Sequence, residues 1–257
     1  MEYYKYSYYS VQTRPFPNYF MHYLILFFTF AGLVLPTTKT FMQETLSNSE
    51  IIRFLKEKFQ GAGYIDGLKI KYRSLICPFI DLIEKVKPGE HVGDVGCGSG
   101  QYLLLLTHFT EASYLYGIEI TPRLVENANK LFSNQPAGSY SFNTYDGENF
   151  PEKLKEMDVI FLIDVLHHVP PKIQEDFLKN LIKSMKPGAR LILKDINASS
   201  PLVLFNKLHD LVFAREIGNE MKMNTAINIL QENGLRIIEQ TKRRMYVYPH
   251  YTIVAKK

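Results

Sequence analysis

The chain predicts an α/β fold, a doubly wound and mostly parallel sheet closed by an antiparallel hairpin. Three observations carry this. Short apolar runs alternate with amphipathic stretches from residue 91 onward, the order that places helices on both faces of a parallel sheet. A glycine turn, Gly96-Cys97-Gly98-Ser99-Gly100, joins one apolar run to the stretch Leu103-Leu104-Leu105-Leu106. The C-terminal end carries two strand-like runs around a basic turn.

The elements follow in order. Ser47-Asn48-Ser49-Glu50 has capping-box spacing, in which hydroxyl and carboxylate each satisfy an N–H left free at a helix start. Ile52, Leu55 and Phe59 then recur on one face until Gly61-Ala62-Gly63 ends the helix, which is expected to lid the ligand site. Residues 71–86 give a second helical pattern with Pro78 at a first-turn position. Lys87-Pro88-Gly89 turns into the strand His91-Val92-Gly93-Asp94-Val95, where Gly93 is expected to give up side-chain packing. A second strand, Tyr114-Leu115-Tyr116-Gly117-Ile118, ends in Glu119. Helix 121–132 follows, with Leu124, Ala128 and Leu131 inward. Residues 141–145 form a third strand. Residues 157–163 form a fourth, an unbroken apolar run of the kind buried on both faces. Helix 171–185 carries Ile173, Phe177, Leu178, Leu181, Ile182 and Met185 on a wide stripe, and Lys186-Pro187-Gly188 leads into a fifth strand. Residues 201–213 are too apolar for a surface loop and are expected to build a wall of an acceptor pocket. His209 and Asp210 cannot share a helical face. Residues 236–239 and 246–254 form the closing hairpin, with Lys242-Arg243-Arg244 at its solvated tip.

The chain divides at its N-terminal end. Residues 1–41 are an extension whose part 19–35 is almost wholly apolar and borderline in length for a bilayer span; residues 42–257 read as the folded domain. Tyr3, Tyr4, Tyr8, Tyr9 and Tyr19 would supply interfacial aromatics to an anchor or interfacial helix. A translation start at Met42 is the competing reading. A signal peptide is disfavoured by the tyrosine-rich leader.

Composition narrows the function. With 257 residues, 46% hydrophobic and 22% charged, the chain can bury one good core. A net charge of +4 without a long basic stripe argues against DNA and disfavours RNA. Cys77 and Cys97 have neither metal-ligand spacing nor a disulfide framework, so a cytoplasmic, reducing setting fits and no metal is expected.

The glycine turn carries the chemistry. Glycine at 96, 98 and 100 lets a ligand approach main-chain N–H groups. The spacing is GxGxG, so the third glycine of the dinucleotide fingerprint is displaced, and the Lys-Ser/Thr pair of a P-loop is missing. Asp94 precedes the turn. Glu119 ends the second strand where a ribose-binding carboxylate belongs, which points to an adenosine ligand.

These residues resemble the class I S-adenosylmethionine-dependent methyltransferases, whose first motif reads approximately VLDxGCGxG and whose second strand ends in an acid. The resemblance covers roughly residues 70–257 and implies a Rossmann-like sheet with S-adenosyl-L-methionine as cofactor. It implies that Asp94 orients the methionine part, that Gly96, Cys97, Gly98 and Gly100 form the turn around it, and that Glu119 holds the ribose hydroxyls. Asp146-Gly147 would meet the adenine edge, although Asp-Gly is also a common turn. Asp164, in Ile163-Asp164-Val165-Leu166-His167-His168, would line the sulfonium pocket. His167 and His168 would offer a general base near neutral pH, beside packing roles that related histidines often have. Asp164, His167 and His168 are therefore the candidate catalytic residues.

Other signatures are informative by their absence. No Asn/Asp-Pro-Pro-Tyr/Phe follows the fourth strand and no Pro-Cys occurs, which removes support for nucleobase substrates. Asp164, Lys194 and Glu239 with Lys69 or Lys71 resemble the Lys-Asp-Lys-Glu set of RNA ribose methyltransferases, a weaker reading than a polar strand end. The expected function is methyl transfer to a small-molecule or lipid-like acceptor, at the cytoplasmic face of a membrane if residues 19–35 bind one. An RNA methyltransferase and a non-catalytic cofactor-binding scaffold are the alternatives.

Overall fold

The computed structural model describes residues 46–58, 76–213 and 217–257 of the protein. The apolar run 19–35, the helix end at Gly61–Gly63, Lys69 and Lys71 lie outside them. Among the described residues no helix is long and apolar enough to cross a membrane.

Seven strands form one sheet in the order β3-β2-β1-β4-β5-β7-β6. They are β1 His91–Val95, β2 Tyr114–Glu119, β3 Tyr140–Thr144, β4 Val159–Ile163, β5 Arg190–Ile196, β6 Arg236–Met245 and β7 Tyr248–Lys256. β1 to β5 are parallel, and β7 inserts antiparallel between β5 and β6. The chain winds outward from β1 in one direction and from β4 in the other, so a crevice opens at the carboxyl ends of these two strands, where doubly wound sheets take their ligands.

Helices cover both faces. α1 Asn48–Lys58, α2 Phe79–Ile83, α3 Gln101–Phe109 and α4 Pro122–Leu131 bury Ile51, Leu55, Phe79, Leu103 and Ala128 against Val92, Phe161 and Ile192. α5 Gln174–Lys183 and α7 Met223–Glu232 bury Phe177, Leu178, Leu181, Ala226 and Leu230 against Ile118, Leu162, Leu191 and Leu193 on the other face. α6 Val203–Phe213 follows β5. Every residue of β4 is buried, as its apolar run requires of a strand with helices above and below.

Local chemistry sets the boundaries. The capping box forms as expected: the Ser47 N–H donates to Glu50 Oε2 at 2.7 Å and the Glu50 N–H to Ser47 Oγ at 3.3 Å. α3 begins directly after Gly100, whose φ of 77° favours glycine.

Several expectations are revised. The helical pattern expected over 71–86 is interrupted at Cys77-Pro78, with α2 spanning Phe79–Ile83 and residues 71–75 outside the described ones. In α4 the buried residues are Val125 and Ala128, and at the head of α5 Ile173 is 42% exposed. Gly93 gives up no packing, because a Cβ there would stand 3.1 Å from Met157 Cγ and 3.4 Å from Leu154 and Ile160 side-chain atoms; neighbours already fill the space. Lys242, Arg243 and Arg244 are not the hairpin tip. They pair with Tyr251, His250 and Pro249, and the turn falls at Tyr246-Val247, consistent with charged residues guarding an edge strand.

Candidate active site

The glycine turn sits at the head of the crevice. Gly96, Gly98 and Gly100 all have positive φ, at 75°, 55° and 77°. Gly96 and Cys97 donate backbone N–H bonds to Ile118 O at 2.8 and 3.1 Å, which ties the turn to β2. A Cβ on Gly96 would lie 2.4 Å from Val165 Cγ2, and one on Gly100 would press on Phe132, Ala128 and Phe142 at 3.2–3.3 Å. Gly98 differs, because a Cβ there would meet nothing within 4 Å. Protein packing fills the space beside the first and third glycines and leaves that beside the middle one open.

Glu119 closes the turn from β2. Its Oε2 accepts the Gly98 N–H at 3.1 Å and its Oε1 the Thr121 N–H at 3.0 Å. Each oxygen retains a lone pair for a hydroxyl. Asp94 is buried at the end of β1. Cys97 is buried, and that burial, with Asp94 and Glu119 nearby, pushes its thiol far up. It is a neutral packing group, and Gly117 makes room for it: a Cβ at 117 would meet Cys97 Sγ at 2.7 Å and Phe142 at 2.5 Å.

Residues beyond the motif complete this half of the site. Gln101 Nε2 and Tyr102 Oη, directly after the turn, are buried without a hydrogen-bond partner among the described residues. Burial and then Asp94 hold the Tyr102 phenol protonated. Tyr102 lies close enough to Asp94 to feel its charge, and two orphaned polar groups directly after the turn fit the polar end of a ligand, since buried polar groups otherwise find partners. Ile120, next to Glu119, is 47% exposed and lies 3.6 Å from where a Gly147 Cβ would be, so it offers an apolar surface for a base. Asp146 turns its carboxylate onto its own loop, accepting from the Asn149 side chain at 2.7 Å and from the N–H groups of Glu148 and Asn149. The Asn149 side-chain bond leads in holding this acid below the usual range.

Beyond β4 the backbone is strained. Asp164 has φ 55°, rare for a residue with a side chain. It is fixed from β5, where Lys194 O accepts its N–H at 2.9 Å and Lys194 Nζ donates to its Oδ1 at 2.5 Å. Lys194 is fully buried. On the same sheet face, His250 Nε2 donates to Ile76 O at 2.7 Å, leaving Nδ1 a buried acceptor without a partner among the described residues. Burial and then Lys194 depress His250 to about 3, so it is neutral.

The opposite face of the same strand ends holds a different cluster. His167 is 3% exposed. Its Nδ1 lies 2.5 Å from Asp195 Oδ1, its backbone N–H donates to Asp195 Oδ2 at 3.1 Å, and its Nε2 stands 3.8 Å from Asp210 Oδ2. Burial alone would pull the imidazole down, but Asp195, then Asp164 and Asp210, outweigh it and raise it to about 9. His167 is therefore a cation at neutral pH. His168 is exposed, its ring 4.0 Å from that of His167 between centroids. Asp210 also accepts from Asn206 Nδ2 at 2.7 Å, which bonds Glu220, which in turn holds Lys207. This network fastens α6 over the crevice. Asp210 faces in; the His209 side chain lies outside the described ones.

Sequence reasoning missed Asp195, Gln101, Tyr102, Ile120 and His250. Only Asp195 had a legible signal, being with Lys194 one of two consecutive charged residues at the end of the apolar run Leu191-Ile192-Leu193. The ligand atoms of Asp164, His167 and Asp195 lie within 4.8 Å of one another, yet protons of Lys194 and His167 already face these carboxylates. Glu239 pairs with Lys85 at 2.7 Å, so the described members of the RNA-type set do not form one cluster.

Comparison with known proteins identifies the family and the fold. The family model described as a methyltransferase domain matches residues 86–246, more than half of the chain. The protein belongs to this family, within the class I S-adenosylmethionine-dependent methyltransferases. An O-methyltransferase of Aspergillus sclerotiorum is 27% identical over 176 residues, 66% of this chain and 63% of that one. The chain spans 57 to 63% of the length of the curated relatives it matches first. Magnesium protoporphyrin IX methyltransferase from Synechocystis, solved with bound SAH, shares the fold with a TM-score of 0.60 at 20% identity, over 82% of this chain and 95% of that one. The [4+2]-cyclase SpnF shares it with a TM-score of 0.54 at 13% identity, over 69% and 79%, so this fold also hosts a reaction named otherwise.

Proposed function

We propose that the protein transfers the methyl group of S-adenosylmethionine to an oxygen of a small, apolar or lipid-like acceptor. The observation that carries this is the Gly98 position, open to a ligand and bonded to the Glu119 carboxylate at the switch point of the sheet. The name of the Aspergillus relative favours oxygen as the receiving atom.

The cofactor supplies a methyl made electrophilic by its sulfonium. What remains for the chain is to bind, orient and dehydrate. Glu119 accepts the ribose hydroxyls, Ile120 and Gly147 flank the base, and Asp94 with Gln101 and Tyr102 takes the amino-acid end. Asp164, held by Lys194, turns the backbone beside the reacting centre. His167 carries a proton already, so it serves as a fixed cation between Asp195 and Asp210 and not as the base. The exposed His168 takes the proton that an acceptor hydroxyl must lose. α6 walls the acceptor side, and residues 19–35 hold the chain near a bilayer.

The test is calorimetric titration of the full chain with S-adenosylmethionine, NAD serving as control, followed by radiolabelled methyl transfer to phenolic and hydroxylated lipid acceptors. Micromolar binding with label in the organic phase is expected. Binding of NAD in place of S-adenosylmethionine refutes the reading. Removing residues 1–41 is expected to lower the membrane-bound fraction; a full-length chain already in the soluble fraction refutes the membrane role of that segment.

A further inference from the structure

The helix that carries Asp210 into the His167 cluster has a second face. Leu204, Phe205, Leu208 and Leu211 are 68, 40, 43 and 50% exposed, whereas Asn206 and Asp210 are buried in the network below. Asp210 is the one acid of α6, so the exposed side carries no negative charge. A contiguous apolar patch of this kind marks a contact surface, unlike scattered single leucines.

The neighbouring hairpin supplies the charge. Ile196 at the end of β5 pairs with His250 near the start of β7, so the Tyr246-Val247 turn projects at the carboxyl edge of the sheet. α6 packs against β7. Lys242 and Arg244 stand opposite Tyr251 and Pro249, and opposed residues share a face. Both basic side chains therefore emerge on the face that holds Asp195, the face to which α6 is fastened, and both are exposed. Tyr246 is 50% exposed at the turn.

We infer that this edge docks on an anionic bilayer surface. The leucines and Phe205 enter the acyl boundary, Tyr246 sits at headgroup level, and Lys242 and Arg244 lie over anionic headgroups. The inference goes beyond methyl transfer and does not need it, because binding is read without turnover.

The experiment is sedimentation of the full chain with phosphatidylcholine vesicles and with vesicles that also contain phosphatidylserine. Wild type is expected to partition more strongly onto the anionic vesicles, and less so at high salt. Leu204→Asp with Leu208→Asp should lower the partition coefficient about tenfold or more. Lys242→Glu with Arg244→Glu should remove the anionic preference, at about fivefold per residue. These positions are solvent-facing, and thermal melting checks that the variants fold. Equal binding of wild type to both vesicles overturns the proposal. So does a partition unchanged in either variant, which would assign membrane binding to other residues or the patch to a protein partner.

Discussion

Two glycines two residues apart should fail in opposite ways. Both Gly96 and Gly98 have positive φ, so alanine at either costs about 1–2 kcal/mol of backbone strain. At Gly96 the new methyl would also lie 2.4 Å from Val165 Cγ2. Valine has little rotamer freedom to yield, which adds about 1–3 kcal/mol of overpacking. Out of a total stability of about 5–15 kcal/mol, Gly96→Ala should lower Tm by roughly 4–20 °C and Gly98→Ala by roughly 2–8 °C. The ligand effect runs the other way. At Gly98 the methyl enters space the protein leaves open, so a cofactor seated there must shift, and S-adenosylmethionine affinity should fall about 100-fold or more in Gly98→Ala. Paired melting curves and calorimetric titrations read both quantities. Wild-type affinity in Gly98→Ala would refute the placement of the cofactor against this turn.

Glu119→Ala removes the carboxylate from two backbone N–H groups and from the ribose, and S-adenosylmethionine binding should weaken by about 1–3 kcal/mol; unchanged calorimetric affinity would remove its ribose role. His167, raised from 6.5 to about 9 in the folded chain, contributes stability that is fully present below pH 6.5 and lost as pH climbs through 9. Urea titrations should show about 3 kcal/mol disappearing across that window. His167→Asn should be flat there and Asp195→Asn should move the window down, whereas superimposable profiles would contradict the buried cation. Lys194→Met breaks the ion pair between Lys194 and Asp164 and should cost about 3 kcal/mol, partly recovered by adding Asp164→Asn. No recovery in the double variant would show that Lys194 acts through packing alone.

The elements most legible in the sequence were those whose signal is local. The apolar run of β4, the Ser47–Glu50 capping box and the GxGxG spacing each rest on contacts within a few residues. The Lys242–Arg244 stretch misled because charge reads as loop, although an edge strand tolerates and uses it. α7 passed unnoticed, since Met223-Asn224-Thr225 gives neither a strong cap nor a clean apolar period. In the site, the motif residues could be placed but their states could not. Whether His167 is base or cation depends on Asp195 and Asp210, brought to it from β5 and α6, and nothing near His167 in sequence announces them. Gly93 illustrates the same limit: its neighbours Met157 and Leu154 come from beyond β3.

The two ion clusters at the end of β5 bear on how this strand finds its place. Lys194 and Asp195 are consecutive and so face opposite sides of the sheet, one toward Asp164 and the other toward His167. Sliding β5 by one residue in one direction would set Asp195 against Asp164 and Ile196 against the imidazolium. Sliding it the other way would set Lys194 against His167 and Leu193 against Asp164. Either error breaks both ion pairs and sets a charged group against an aliphatic side chain, in a run otherwise uniform enough to slip. The adjacent lysine and aspartate thus act as an electrostatic key for strand alignment, checked from both faces at once.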